Sequence, residues 1–217
     1  MSKVTPLDNG EHYALFQGID PLEMSNRMHS IGLSLGDSTV EHGLIGYGDS
    51  SPVRIHSEVI YHEDMVPYFM LGCIKQASKG GVNILYNAVE AASIMSREVL
   101  ELTNTKMVYH AEHYDDLSVS VPLIREKRNN QFLAFRQKKA DLNEIHDLPH
   151  GWSDDDFYEY IDDVLSRTIE FEHLLLPGEV LLVDNYQTLH VRTAYEGLRK
   201  MIRVRVDDPE SDRRYLA

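Results

Sequence analysis

The sequence predicts an α+β protein built around a strand-rich barrel or sandwich. Helix-forming segments stand near the front and the middle of the chain, and Gly-rich turns with short apolar runs recur near both ends. Two segments, 54–61 and 200–206, alternate apolar and polar residues, as half-buried strands do. A length of 217 residues fits one domain. We therefore expect a single domain over residues 1–217, with an N-terminal lead over about 1–42 and a lid-like insert over about 115–150.

The first half of the chain contains one helix start, three predicted strands and one clear helix. Asp20-Pro21-Leu22-Glu23 is typical of a helix N-terminus, because proline is favoured at the first helical position. Lys79-Gly80-Gly81 predicts a turn between the second and third strands. The predicted strands are 54–61, 68–73 and 82–86, and the predicted helix is 87–102.

In the second half, residues 115–150 have the least regular pattern. We interpret their basic residues as part of a solvated flap or lid; these are Arg125, Lys127, Arg128, Arg136, Lys138 and Lys139. Ser153 and the three aspartates after it predict a helix start, because acids suit the first turn. The helix is expected over 157–171, followed by strands at 179–184, 187–192 and 200–206.

Composition narrows the function classes. The chain has 21 basic and 35 acidic residues, so its net charge is −14 and nucleic acid is not an expected partner. It has no apolar run long enough for a membrane helix and no apolar signal core at its start. The single cysteine, Cys73, excludes an internal disulfide and fits the cytoplasm. We expect a small-molecule substrate and leave a homo-oligomer open.

His56-Ser57-Glu58 is the first candidate for chemistry. On a strand, residues two apart point to the same face, so an imidazole and a carboxylate would project side by side. Such a pair is two thirds of the 2-His-1-carboxylate set that holds Fe(II) and leaves positions open. The chain has 11 histidines, so the triplet alone is a weak signal and needs a remote histidine to support it.

The far end of the chain supplies that support. Pro177-Gly178-Glu179-Val180-Leu181-Leu182-Val183-Asp184-Asn185 runs into a segment containing His190-Val191-Arg192-Thr193, and Arg199-Lys200-Met201-Ile202-Arg203 follows. Together with His56-Ser57-Glu58 and Gly80-Gly81, this arrangement resembles the iron- and 2-oxoglutarate-dependent oxygenases of the taurine dioxygenase and clavaminate synthase type. The resemblance covers roughly residues 50–95 and 175–208.

The resemblance implies a double-stranded β-helix (jelly roll) core with flanking helices. It also implies Fe(II), 2-oxoglutarate and dioxygen as cofactor and co-substrates, with His56, Glu58 and His190 as the iron ligands. Asn83 stands where the family often has a hydroxyl residue that helps to hold 2-oxoglutarate. The residues expected to face the substrate are Arg203, Tyr61 and Arg192.

Two arginines compete for the distal carboxylate of 2-oxoglutarate, which needs a planar two-pronged donor. We expect both on one face of the final strand. Arg203 follows His190 after 12 intervening residues and suits the commoner family spacing, whereas Arg199 follows after 8. The Arg-x3-Arg register favours Arg199 as the cofactor arginine and Arg203 as the substrate arginine, because loops shorten more easily than strands slip. Arg199 is therefore preferred.

The predicted function is oxygenation of a small carboxylated metabolite, an amino acid or a derivative, by hydroxylation, desaturation or epoxidation. Glu58 argues against halogenation, because related halogenases have Ala or Gly at that position. The alternatives are a cupin-like metal-binding jelly roll without 2-oxoglutarate turnover and a cupin-type dioxygenase that uses no keto-acid. Two other acid and histidine clusters, His110-Ala111-Glu112-His113 and His62-Glu63-Asp64, lack a matching remote ligand.

Overall fold

The structure is a computed structural model that describes residues 7, 11–35, 38–45, 50–61, 64–110, 118–127, 129–137 and 143–207. Within these ranges there are three α-helices, one short 3-10 helix and sixteen strands, numbered in chain order. The helices are α1 (Met24–Leu35), α2 (Ala88–Glu98), the 3-10 helix Leu100–Asn104 and α3 (Asp154–Ser166). None of them is both long and apolar enough to cross a membrane.

Two antiparallel sheets form the centre of the fold. The larger sheet has five strands, in the spatial order β1 (Tyr13–Phe16), β13 (Val180–Asp184), β4 (Tyr68–Lys75), β16 (Lys200–Asp207) and β2 (Ser38–Ile45). The smaller sheet has four, in the order β12 (Ile169–His173), β6 (Asn83–Asn87), β14 (Thr188–Arg192) and β3 (Val53–His56). In both sheets, strands from opposite ends of the chain are neighbours, which confirms the predicted jelly-roll class.

Three smaller sheets complete the architecture. One has three strands, in the order β11 (Asn143–His146), β7 (Lys106–His110) and β8 (Ser118–Pro122). The other two are pairs, β9 (Ile124–Lys127) with β10 (Asn130–Leu133), and β5 (Lys79–Gly80) with β15 (Tyr195–Glu196).

The two central sheets pack face to face, and helices cover their outer faces. Alternation along β16 shows the layering: Met201 packs between the sheets, whereas Ile202 and Val204 pack toward α1. The inner layer is the apolar cluster of Phe69, Cys73, Leu85, Leu175, Leu181, Val183 and Met201. A larger cluster beyond the smaller sheet includes α2, α3 and the three-stranded sheet.

The predicted helix starts are close to the observed ones. Ser153 caps α3 in a reciprocal capping box with Asp156, as the sequence predicts. At α1, residues 21–23 form a turn whose Leu22 N–H donates to the Asp20 side chain at 2.9 Å, and the helix itself begins at Met24. The helices predicted over 87–102 and 157–171 end earlier than predicted, at Glu98 and Ser166.

Two regions differ from their predicted secondary structure. The strand expected over 54–61 ends at His56, and a turn follows it. The stretch 115–150, expected to be irregular, contains four strands, β8 to β11, and buries Val121 and Phe132 in the core. Its expected function as a lid stays a prediction.

Candidate active site

His56, Glu58 and His190 converge between the two central sheets, although 133 residues stand between His56 and His190 in the chain. The smaller sheet produces this proximity, because His190 on β14 pairs directly with His56 at the end of β3. Residues opposite each other in an antiparallel pair share a face. Their rings accordingly lie 4.0 Å apart between centroids, and the ring of Phe69 from the larger sheet lies 4.5 Å from that of His190.

Glu58 reaches the two imidazoles from a turn. We expected a continuous strand to place His56 and Glu58 on one face, and that explanation was wrong. Val59 has a φ of 57°, an uncommon conformation for a β-branched residue that turns the chain immediately after Glu58. The side chain of Asn185 holds this turn. It accepts from the Glu58 N–H and donates to the carbonyls of Glu58 and Val66, each at 2.8 Å.

The three side chains present one ligand atom each toward a common point. Nε2 of His56 and Nε2 of His190 both lie 3.8 Å from Oε1 of Glu58, and the three candidate ligand atoms lie within 4.8 Å of one another. Nδ1 of His56 donates to the Arg54 carbonyl at 2.8 Å, which leaves its Nε2 as the acceptor. Within the described residues this is the one group of histidines and acids close enough to hold a metal ion.

The protonation states suit metal binding. Burial disfavours the Glu58 carboxylate, but the hydrogen bond of His56 and the nearby charges of Arg203 and Arg205 hold its pKa well below the usual range. Burial lowers the pKa of His190 well below its ordinary value, and His56 lowers it further. The site therefore presents one carboxylate and a neutral imidazole at His190, the donor forms that bind Fe(II).

Arginines of the last strand contact Glu58 directly. Nη1 of Arg203 donates to Oε1 of Glu58 at 2.7 Å, and Nε of Arg205 donates to Oε2 at 2.9 Å. Both arginines lie on the face of β16 that points between the sheets, since they stand two and four residues after inward Met201. The sequence pattern did not single out Arg205, although Arg205 stands two residues after Arg203 on a predicted strand and therefore shares its face.

Arg136 is a second residue whose role the sequence did not indicate. The sequence predicts it in a solvated basic cluster, but its backbone forms a β-bridge with His56. Next to this bridge, the N–H groups of Ser57 and Gln137 each donate to a backbone carbonyl of the opposite segment at 2.9 Å. Arg136 therefore lies beside His56 at the edge of the smaller sheet. Its guanidinium carbon is 5.8 Å from the centroid of the Tyr61 ring.

Arg199 lies in a different place from Arg203. The expectation that both project from one face of the last strand was wrong, because Arg199 precedes β16 and a register shift separates Lys200 from Met201. Arg199 is 4 % exposed, and its Nε donates to Gln76 at 3.3 Å. A methyl group on Gly81 would come within 3.3 Å of that nitrogen, so the guanidinium lies against the glycine turn.

Two buried donors near this turn have no hydrogen-bond acceptor among the described residues. They are Nη2 of Arg199 and Nδ2 of Asn83. Asn83 is buried on β6 and pairs across the sheet with Arg192 on β14. Burial lowers the pKa of Arg199 to about 10, and the nearby positive charge of Arg192 contributes to this shift. Unpaired buried donors are costly, so a site that collects them is suited to an anion.

The other predicted substrate residues have protein contacts of their own. Arg192 donates to the carbonyls of Thr193 and Ser51, and its guanidinium carbon lies 4.7 Å from the centroid of the Tyr195 ring. Tyr61 packs edge-on against Tyr109 with ring centroids 5.4 Å apart. Of the competing clusters, residues 62–63 and 111–113 lie outside the described residues, and His110 bonds to exposed Glu144.

Comparison with known families decides the classification. The model of the family described as "Taurine catabolism dioxygenase TauD, TfdA family" matches residues 3–205. The chain belongs to this family. The predicted resemblance is therefore confirmed, and so is the predicted enzyme class, a dioxygenase.

Solved structures agree with the TauD/TfdA assignment at the level of fold. PvcB from Pseudomonas aeruginosa has a TM-score of 0.76 at 15 % identity, covering 97 % of this chain and 81 % of its own. An asparagine oxygenase bound to Fe(II), 2S,3S-3-hydroxyasparagine and succinate has a TM-score of 0.67 at 16 % identity, with coverages of 94 % and 76 %.

A third structure, the non-heme iron oxygenase OrfP with Fe and α-ketoglutaric acid, has a TM-score of 0.64 at 14 % identity, with coverages of 94 % and 78 %. No curated protein matches the sequence. Family membership and the donor set of His56, Glu58 and His190 together support the predicted dependence on iron and 2-oxoglutarate.

Proposed function

We propose that this chain is an Fe(II)- and 2-oxoglutarate-dependent oxygenase that hydroxylates, desaturates or epoxidises an amino acid or an amino-acid derivative. The observation that carries the proposal is the convergence of His56, Glu58 and His190 in a member of a dioxygenase family. A ferrous ion bound with 2-oxoglutarate and dioxygen supplies the oxidising chemistry for such a reaction.

In this proposal the three convergent side chains hold the iron, and the surrounding residues orient them. The Arg54 carbonyl fixes the tautomer of His56, and Asn185 fixes the turn that carries Glu58. The ring of Phe69 covers His190 and helps to exclude water. Polar partners of this kind raise metal affinity because they hold the ligands in place before the metal binds.

Arg199 and Asn83 are the proposed receptors for the distal carboxylate of 2-oxoglutarate. Each has a buried donor without an acceptor, and together they would satisfy the two oxygens of a carboxylate. Arg203, the alternative from the sequence, donates to the candidate iron ligand Glu58, whereas Arg199 lies against Gly81, two residues before Asn83, which favours Arg199 for this role. Arg192 adds positive charge beside Arg199.

The substrate proposal rests on the position of Arg203 and on the ligands of two solved structures with a similar fold. The asparagine oxygenase structure contains a hydroxylated asparagine, and an OrfP variant was solved with (3S)-hydroxy-L-Arg. Arg203 lies against Glu58 on the inner face of the larger sheet, where it is suited to bind a substrate carboxylate near the iron ligands. Tyr61 and Arg192 remain the further proposed substrate contacts.

The test begins without oxygen. Fe(II) and 2-oxoglutarate added to the protein should produce the weak visible charge-transfer band of an iron chelate, and air with a panel of amino acids should then release succinate. Glu58→Ala should abolish the turnover that releases succinate, because it removes one of the three candidate iron ligands. Glu90→Ala, which removes an exposed acid on α2, should change neither the band nor the release of succinate.

Other outcomes identify the alternatives. A colourless mixture that forms no succinate in air would indicate a metal-binding jelly roll without turnover. Oxygen uptake independent of 2-oxoglutarate would indicate a cupin-type dioxygenase.

We also propose that the protein acts in the cytoplasm on a small molecule. The support is its single cysteine, Cys73, which cannot form an internal disulfide and so suits a reducing compartment. The absence of a nucleic-acid partner and the possible homo-oligomer stay predictions.

A further inference from the structure

Gln76 contacts the guanidinium of Arg199 at one end of the larger sheet. β4 and β16 are antiparallel neighbours, and their pairing runs as far as Lys75 and Lys200. Gln76 follows Lys75 and Arg199 precedes Lys200, so the two residues stand opposite each other where the paired strands end. Oε1 of Gln76 accepts a hydrogen bond from Nε of Arg199 at 3.3 Å.

The amide of Gln76 is held in one orientation. Its Nε2 donates to the Leu175 carbonyl at 2.8 Å, and its Oε1 also accepts from the Ala77 N–H at 2.7 Å. Reversing the amide would place its NH2 group against two donors and its oxygen against a carbonyl. Leu175 is fully buried, so the core fixes that carbonyl. The fold therefore determines which atom of Gln76 faces Arg199.

The glycine turn and an aromatic ring confine the same pair of side chains. A Cβ on Gly81 would lie 3.3 Å from Nε of Arg199 and 3.3 Å from Oε1 of Gln76, so a side chain there would press on both atoms. The guanidinium carbon of Arg199 also lies 5.8 Å from the centroid of the Tyr195 ring. These contacts limit how far the guanidinium can turn.

The bond to Gln76 decides which edge of the guanidinium is open. A guanidinium can bind a carboxylate with two parallel hydrogen bonds, either through Nε and Nη2 or through the two terminal nitrogens. Gln76 engages Nε of Arg199 and so closes the first edge. Nη2 is buried and has no acceptor among the described residues. A carboxylate that binds Arg199 must therefore approach its terminal nitrogens.

We propose that Gln76 is a positioning residue for the co-substrate: it holds Arg199 by Nε, so that the terminal nitrogens face the distal carboxylate of 2-oxoglutarate. This inference rests on the proposed function, in which Arg199 receives that carboxylate. It deepens the function by naming the residue that makes the site selective for keto-acids with a second acidic group. Gln76 acts through Arg199, so its effect is confined to the end of the co-substrate that is remote from the iron.

The experiment compares two keto-acids that differ at that distal end. 2-Oxoglutarate ends in a carboxylate, whereas 2-oxopentanoate has the same chain length and ends in a methyl group. Each is titrated without oxygen into the protein loaded with Fe(II), and the charge-transfer band of the chelate gives its Kd. We expect the parent protein to bind 2-oxoglutarate at least about 100-fold more tightly, because two charge-assisted hydrogen bonds contribute about tenfold or more each.

Two variants separate positioning from a general structural effect. Gln76→Met keeps the length of the side chain and removes the acceptor, so 2-oxoglutarate should bind about tenfold more weakly and 2-oxopentanoate within about twofold of its parent value. Gln76→Glu keeps an acceptor but gives Arg199 an acid of its own, which competes with the distal carboxylate. It should weaken 2-oxoglutarate binding further than Gln76→Met does.

The matched control is Gln131→Met, which makes the same replacement at an exposed position of β10. It should change the Kd of neither keto-acid. Circular dichroism checks that each variant is folded.

Equal losses for the two keto-acids in Gln76→Met would show a merely structural effect and overturn the inference. Binding of 2-oxoglutarate within about twofold of the parent in both Gln76 variants, or a parent preference below about tenfold, would also overturn it. A parent protein that forms the 2-oxoglutarate chelate and releases succinate keeps the proposed function even then. A parent protein without the chelate band contradicts the proposed function, and the inference with it.

Discussion

Replacing Asn185 with alanine tests how the site is assembled. Asn185 is fully buried and makes three side-chain hydrogen bonds of 2.8 Å, two of them to the backbone of Glu58 and one to Val66. At about 1 kcal/mol for each bond, the substitution should cost about 3 kcal/mol of unfolding free energy. In a chain of this size that corresponds to a fall of roughly 6–12 °C in Tm.

The same substitution should weaken Fe(II) binding. Without Asn185, nothing else described holds both the N–H and the carbonyl of Glu58, so the turn at Val59 can relax and the carboxylate loses its position. Polar partners that orient metal ligands typically account for about a 10- to 100-fold difference in affinity. We expect a loss in that range, measured by anaerobic Fe(II) titration at a temperature where both proteins are folded.

Asn87→Ala is the matched control. Asn87 caps α2 through one bond to the Glu90 N–H at 2.8 Å, and its loss should cost about 1 kcal/mol without changing iron affinity. If Asn185→Ala unfolds within about 1 kcal/mol of the parent protein and binds iron equally well, the turn does not depend on this side chain and our account of Glu58 is wrong.

Two further predictions concern the rest of the fold. The hydrogen bond with Glu170 raises the pKa of His12, so the stabilisation from this pair should be complete below the unfolded pKa of about 6.5 and disappear as pH rises through the folded pKa. In urea unfolding, His12→Gln should therefore be less stable than the parent protein by about 1 kcal/mol at pH 6 and nearly equal to it at pH 9. A difference that stays constant with pH would refute this prediction. Gly80→Ala should destabilise the protein by well over about 1 kcal/mol and weaken 2-oxoglutarate binding, because the new Cβ would lie 2.2 Å from the Ala194 carbonyl oxygen. Gly18→Ala is the control: Gly18 has a similar positive φ but open space around it, so the substitution should cost only about 1 kcal/mol. Equal losses of stability in thermal unfolding would contradict the steric argument.

The sequence was sufficient to predict the class of fold and the three side chains that meet at the candidate metal centre. Short apolar runs indicated β4 and β13, alternation indicated β16, and the spacing of glycine, histidine and arginine indicated the family. These features are encoded within a few neighbouring residues, which is why they could be recognised without a structure.

The environment of the site could not be predicted, because contacts between distant residues build it. The bond from Asn185 to Glu58 spans 127 residues, and that from Arg205 to Glu58 spans 147. Arg136 looked like one member of a basic surface cluster until its β-bridge placed it beside His56. A charged residue in a polar stretch has no local signal that separates a solvated side chain from one that faces a metal centre.

Unsatisfied buried donors and acceptors connect the stability of this protein to its function. Seven buried side-chain atoms among the described residues lack a hydrogen-bond partner, and five of them belong to the site: Ser57, Asn83, His190, Arg199 and Arg203. Each such group lowers the stability of the ligand-free protein, since folding removes it from water without giving it a partner. The fold can keep them because the apolar layers on both sides of the larger sheet are closely packed. Ligands that supply the missing partners therefore bind the folded chain alone, and their binding must raise its stability.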